Sequence, residues 1–528
     1  MKNKITTVLI AAAMALPAAA QDLNPQVQVT NDYKAELGTS GKHSVAMEIP
    51  DSLTLFRTSV SYDVFTTPYK GAYEFSPYEI SVTPKKALSD RSRLYVRAGA
   101  GYTLHPELDV VWSPQMPTKY TSLSVFEHFS GYTGNYSSLD ARGNYSGYDF
   151  YENAGVSGYL FGRNFTLGAG LDYNGIYTSD FAGHSAFHDI SLGGKICSDE
   201  AERIVYSFSL NVNQVLDPVV MQTGVRASGS IYPNWMLPFD LRLDFNVESD
   251  FYEKGPYGNV FVAQLSPKAL YEFEMVSIAA GVTFSPAWDI QWLYPDVRIT
   301  ANLLDDAMQL YAYVKGGQFA SSYSDLKLAD HWFNSSYTAV MKPTLERLNA
   351  GLGVRGSALK NLQYDVKGGW ASYSDAPLKS LKADTVNPGL LDCGITYADY
   401  NLWYVSADAA WKSHRLDAGL SLRVSHTDIT ANDNYLDLPL LSGSADVTYN
   451  WNKRIYAGLW CEGRTACKAQ TYPVPGFVNL GLKGEYRFSS RFGAWVKAGN
   501  LLNRKIAWSP LHIEDGVYAT AGISFNMK

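Results

Sequence analysis

Val517-Tyr518-Ala519-Thr520-Ala521-Gly522-Ile523-Ser524-Phe525-Asn526-Met527 decides the fold of this 528-residue chain. The odd positions, Val517, Ala519, Ala521, Ile523, Phe525 and Met527, are apolar; those between them are small, polar or, at Tyr518, amphipathic. Successive side chains of a strand point to opposite faces, so this period of two suits a strand with lipid on one face and a wet interior on the other. Hydrocarbon satisfies no open sheet edge. Such a strand needs a neighbour on each side, and the sheet must close into a barrel.

The same alternation runs upstream. Phe239, Leu241, Leu243, Phe245 and Val247 interleave with Asp240, Arg242, Asp244, Asn246 and Glu248. A row of charges behind a row of apolar groups fits a barrel with water inside better than a soluble sandwich. Residues 204–213 and 416–424 repeat the pattern, which recurs from about Arg93 onward. Tight turns are predicted near Arg163-Asn164, 198–202, Pro233-Asn234, Met275, Asp305-Asp306, 358–361, Lys412-Ser413, Asn452-Lys453, Ser489-Ser490 and 113–120. Asn, Asp, Ser and Pro satisfy or preset the backbone there. In bacterial outer-membrane barrels the short turns face the periplasm. Ten of them, with a first and a last strand, imply an all-β antiparallel transmembrane barrel of about 22 strands over residues 93–528. Longer outer loops are expected at 135–149, 324–343, 376–399, 427–438 and 465–476.

Composition agrees with this reading. Aromatic residues make up 14%, with 37 Tyr and 12 Trp, and charged residues 18%, below the roughly 25% of soluble domains. Tyr and Trp collect where a ring can lie among lipid headgroups. Lys2 and Lys4, an apolar run over 5–16 and Pro17-Ala18-Ala19-Ala20 have the form of a secretory leader. Residues 1–20 therefore read as a signal peptide, with the mature chain expected to begin at Gln21. No later stretch supplies the ~18 apolar residues of a transmembrane helix, and the chain is expected in the outer membrane of a Gram-negative-type bacterium. Without the two leader lysines, the total of 44 basic side chains falls by two against 51 acidic ones. That balance excludes nucleic acid, whose phosphates demand Lys and Arg.

Residues 21–92 read differently. Short extended pieces at 27–30, 53–59 and 78–82 are broken by Pro25, Pro50, Pro68, Pro77 and Pro84. They are expected to form a periplasmic segment that can reach into the lumen.

Asn500-Leu501-Leu502-Asn503-Arg504, the loop with Trp508-Ser509-Pro510 and the terminal Ala521-Gly522-Ile523-Ser524-Phe525 resemble the end of a TonB-dependent outer-membrane receptor. The resemblance covers residues 93–528 in architecture and about 30 residues in motif. It implies a receptor-sized barrel for transport or uptake of a substrate, coupled to a TonB-type partner protein. The family's plug, of roughly 150 residues, does not fit into 21–92, so the chain reads as a short member lacking a full plug. Barrels of 22 strands are plugged in nature. Something must fill this lumen: residues 21–92, inward-folded loops, lumen side chains or a docked partner. The second functional reading is a non-transporting scaffold that docks periplasmic or surface partner proteins for envelope assembly or display.

Lumen-facing charges are expected at Asp240, Arg242, Asp244, Glu248, Arg423, Lys483, Glu485, Arg487 and Lys497. They can tune solute passage or bond one another and fill the interior; the second reading suits a barrel short of a plug. His331, Trp332, Phe333 and Tyr337 form a candidate recognition platform in an outer loop, or else part of the aromatic girdle. Cys461 and Cys467 are a candidate short-loop disulfide in an exported chain; two thiols, or a pairing with Cys393, are the alternatives. His184 and His188 stand four apart, but on a strand that spacing separates them, so no metal site is assigned. The nine histidines fall in no Gly-x-Ser-x-Gly or His-Glu-x-x-His pattern. Neither catalytic residues nor a cofactor are expected.

Overall fold

The computed structural model describes residues 93–527 except 115, 117–119, 181–182, 200–201, 234–238, 256–257, 287–291, 304–306, 334–339, 359–360, 385–388, 430–433, 436–438 and 468–473. The first hairpins comprise β1 (Leu94–Tyr102), β2 (Glu107–Trp112), β3 (Thr121–Ser137), β4 (Asn144–Phe161), β5 (Phe165–Asp180), β6 (Gly183–Ser198), β7 (Ile204–Leu216) and β8 (Met221–Pro233). Next come β9 (Asp240–Lys254), β10 (Val260–Glu272), β11 (Val276–Phe284), β12 (Leu293–Asn302), β13 (Gln309–Ala320), a helix α1 (Tyr323–Ala329), β14 (Pro343–Ala358), β15 (Leu362–Ala383) and β16 (Leu391–Lys412). The chain finishes with β17 (Leu416–Thr427), β18 (Asn434–Tyr435), β19 (Leu441–Trp451), β20 (Ile455–Arg464), β21 (Phe477–Arg487), β22 (Phe492–Gly499), β23 (Ile506–Ser509), β24 (His512–Glu514) and β25 (Tyr518–Met527).

The short β18, β23 and β24 belong to outer loops, and the other 22 strands form a closed antiparallel barrel. Closure runs through the alternating C-terminal stretch: β25 pairs with β22 on one side and with β1 on the other, from Leu94↔Met527 to Tyr102↔Ala519. Along it Ile523 is 64% exposed, whereas Thr520 and Ser524 on the inner row are buried. Gly99 and Gly522 face each other across this seam, with the Trp495 ring over both; a Cβ on either would come within 2.5–2.7 Å of that ring.

Each of the ten predicted turns lies at a junction between successive strands. The outward rows carry Leu171, Leu192, Leu210, Leu241, Leu352, Val405, Leu482 and Val496, all exposed. Exposed Phe273, Trp451 and Phe488 ring the short-turn end, and Phe251, Phe261, Trp292 and Trp403 the loop end, as the two interfaces of a bilayer require. The protein is an outer-membrane barrel.

Two expected loops are corrected. The 135–149 loop shrinks to 138–143, because β3 and β4 continue past the membrane as a paired hairpin. Likewise 376–399 is mostly strand: β15 and β16 extend to Ala383 and from Leu391, with a register shift between Tyr373 and Ala376. Above the lipid one face no longer needs to be apolar, so the alternation that marks a strand disappears from the sequence.

Candidate functional site: the outer mouth

Most of the charges expected in the lumen pair with neighbouring groups. Arg242 Nε donates to Asp244 at 2.6 Å, and Lys268 bridges Asp244 and Asp296 at 3.0 and 2.7 Å. Arg487 meets Glu485 at 3.0 Å, Lys497 meets Glu107 at 2.5 Å, and Lys483 lies 3.8 Å from Asp446. The Arg423 guanidinium lies 5.7 Å from the centre of the Tyr404 ring. Asp240 is half-buried at the short-turn end of β9. Glu248 is buried near the other end, where its carboxylate accepts the Ala320 N–H at 2.8 Å.

That last bond begins the main feature of the mouth. After Ala320 the chain turns into the lumen instead of outward, and starts α1. Ser322 caps the helix and exchanges hydrogen bonds with Asp325 in a capping box, which satisfies N–H groups that a helix start leaves open. The inner wall then grips the helix polar group by polar group. Ser324 Oγ donates to Asp189 at 2.5 Å, Tyr323 OH to Asp217 at 3.1 Å, and Arg226 pairs with Asp325 at 3.0 Å. Gln222 accepts from the Ser324 N–H and donates to Asp250.

Beneath these bonds lies an apolar core inside the barrel. Tyr323, Leu326, Phe333 and Met341 from the loop pack on Ile176, Phe187, Val215, Val260 and Val262 from inner rows of the wall. Each fully buried side chain of this kind stabilises by about 1.5–3 kcal/mol. The loop is thus a folded part of the protein.

Past α1 the loop continues along the wall to β4 and β3. His331 Nδ1 lies 2.9 Å from Asp149, and its ring stacks on Tyr151. The Trp332 ring stacks on His512 at 3.9 Å with an 11° tilt, and meets Tyr136 edge-on at 5.3 Å. Phe333 is buried in the core, and Tyr337 lies outside the described residues. The Lys379–Asp330 ion pair at 3.5 Å adds the tip of β15 to these anchors. Burial alone would raise the Asp330 carboxyl, but Lys379 and the Trp332 N–H hold it below the usual range.

His512 comes from the last outer loop, the second half of the cap. Its strand β24 pairs with the part of β3 that projects above the short β1–β2 hairpin, Ile513↔Ser137 and Glu514↔Tyr136, so an otherwise open edge is covered. Burial pushes the His512 imidazole down to about 3, only partly offset by Asp330. Burial also pushes the Glu514 carboxyl up to about 8, with Asp149 and Glu462 adding to the rise and His331 opposing it. At neutral pH the seam therefore holds a neutral histidine and a protonated glutamate.

The structure places the two cysteines of the candidate short-loop disulfide in different surroundings. Cys461 follows Leu459 on the outward row of β20, while Cys467 is buried on the inside with Cys393. His184 and His188 each meet a tyrosine, Tyr148 and Tyr173, at the outer end of the wall. Among the described residues no group of three or more His, Cys, Asp or Glu is arranged to hold a metal ion. Sequence reading missed Asp149, Asp189, Arg226 and His512, which meet the loop only through the fold. The Ser322-Tyr323-Ser324-Asp325 capping signal was present and could have located α1.

No family model matches the chain, and no curated protein matches it by sequence. Its fold is similar to solved structures of the copper transporter OprC (13% identity, 84% of this chain and 81% of that one, TM-score 0.57) and the siderophore receptor PirA from Acinetobacter baumannii (10%, 82% and 80%, 0.59). It is also similar to the FrpB iron transporter from Neisseria meningitidis (8%, 83% and 82%, 0.60). At such identities the likeness is one of fold, and it spans most of each chain: this is a barrel built to the plan of those transporters and receptors.

Proposed function

We propose that the protein is an outer-membrane uptake transporter related to TonB-dependent receptors, whose outer mouth is closed at rest by its own inward-folded loop. The observation that carries this reading is the path of residues 320–333, anchored at Glu248, Arg226, Asp189 and Asp149 on β9, β8, β6 and β4 and at His512 in the last outer loop. A barrel of this width needs a closure, and this one is held by hydrogen bonds, two ion pairs, two ring stacks and a small apolar core, all made by a single loop that can leave as a unit. The proteins of like fold are named as a copper transporter, a siderophore receptor and an iron transporter. Here the inner wall, with its ion pairs and the hydroxyls of Tyr311, Tyr313 and Tyr404, suits a polar solute rich in hydrogen-bonding groups. A TonB-type coupling protein, the partner implied by the resemblance, would engage residues 21–92.

Planar-bilayer recording tests the closure. The wild-type barrel is expected to be silent, and a variant with 323–333 replaced by a short Gly-Ser linker to conduct, once heat-shifted migration on a gel shows that it has folded. A folded variant as silent as the wild type would overturn the gate and favour the scaffold reading, in which packed outer loops dock partners.

A further inference from the structure

We propose that Cys393 and Cys467 form a disulfide in the exported protein, a staple between two outer loops beside the cap. The four cysteines occupy different surroundings. Cys197 is at the short-turn end of β6, and Cys461 is on the outward row of β20. Cys393 and Cys467 are both buried, 6% and 4% exposed, and belong to one apolar cluster with Leu381, Leu391, Val474 and Phe477.

The backbone brings them to that cluster from two directions. Cys393 lies opposite Leu381 in the extended β15–β16 hairpin, and Leu381 pairs on its other edge with Asn434. A few residues later Pro439 bridges to Cys467, which itself bridges to Val474. Asn434 thus lies against the strand pair that holds Cys393, and Pro439 beside the backbone of Cys467. Two thiols from separate loops share a small dry cluster, and the chain is exported to a compartment where disulfides form and persist.

The chemistry balances with a dithiol–disulfide oxidoreductase of the envelope as oxidant. One cysteine thiolate attacks its disulfide, forming a mixed disulfide and expelling one oxidoreductase thiolate. The second cysteine thiolate then attacks the chain's own sulfur, forming the Cys393–Cys467 bond and expelling the other. Two electrons and two protons leave the pair, and the oxidoreductase ends as its dithiol. The same cluster contains Leu511 and Ile513, which flank the His512 on which Trp332 leans, so the staple would firm the fixed side of the mouth whether or not the mouth opens for transport.

Full-length protein is purified from outer membranes with N-ethylmaleimide present from lysis, digested without reductant and analysed by mass spectrometry. A peptide pair joining Cys393 to Cys467, lost on treatment with dithiothreitol and unchanged in Cys461→Ser, is expected. In Cys393→Ser, Cys467 should become fully alkylated after denaturation. Complete alkylation of both residues in unreduced wild type, or a peptide pair joining Cys461 to Cys467, overturns the proposal.

Discussion

Asn500 shows how much one side chain contributes to the outer loops. Its φ of 50° is in the left-handed region, which Asn tolerates better than most residues with a Cβ. Nδ2 donates to the Arg504 and Gly516 carbonyls at 2.7 and 3.0 Å, and Oδ1 accepts the Arg504 N–H at 2.9 Å. One buried amide thus closes the neck of the loop that presents His512. Asn500→Ala loses those three bonds, each worth about 0.5–1.5 kcal/mol net, and gains strain of about 1–2 kcal/mol; an overall loss of about 2.5–6.5 kcal/mol is expected. Asn500→Gly keeps the backbone freedom and should cost less. Urea unfolding in detergent micelles measures both, and an Ala variant as stable as Gly contradicts the role of φ. The Asn500 to Arg504 strip was visible in the sequence as a family-like motif. Its function as a neck was not, because the carbonyl of Gly516 comes near only once the loop has closed.

The cap elements respond to pH through two groups with opposite signs. His512 is neutral in the packed cap down to about 3 but ordinarily titrates near 6.5, so an opened cap binds more protons between those values and packing gains stability as pH rises to 6.5. Glu514 is the reverse: it stays protonated in the packed cap up to about 8 against an ordinary 4.5, so packing loses stability as pH rises from 4.5 to 8. Between 6.5 and 8 only the glutamate contributes. Hydrogen exchange of the 506–514 amides, corrected for intrinsic rate, is expected to accelerate over that window in wild type and to stay flat in Glu514→Gln. Acceleration persisting in the Gln variant would remove Glu514 as the cause. None of this could be read from sequence, since the charges that act on Glu514 lie on β4, β20 and the loop after α1. The helix itself was legible in principle from its capping signal, unlike β18 and β24, which are too short to show a period.

At the scale of the whole molecule, parity is what made the barrel readable. Wherever one face meets lipid, a strand must alternate, and the row containing Asp240, Arg242 and Asp244 could be assigned to the interior from its alternation alone. Above the membrane that constraint ends, and so did the accuracy of the reading: β15 and β16, each 22 residues, were expected to end far lower. The loop that packs inside the barrel sits in that less legible half. Residues 21–92 and inward-folded loops were both candidates to fill the pore, and the loop at 320–333 supports the second. A variant lacking 21–92 but keeping 320–333 should remain closed, because the cap's anchors at Glu248, Asp189, Asp149 and His512 all belong to the barrel itself. Removing both segments should give conductance close to that of the loop-replaced barrel alone. Full conductance on removing 21–92 with the cap intact would move the closure to the periplasmic half and leave the outer loops as a docking surface.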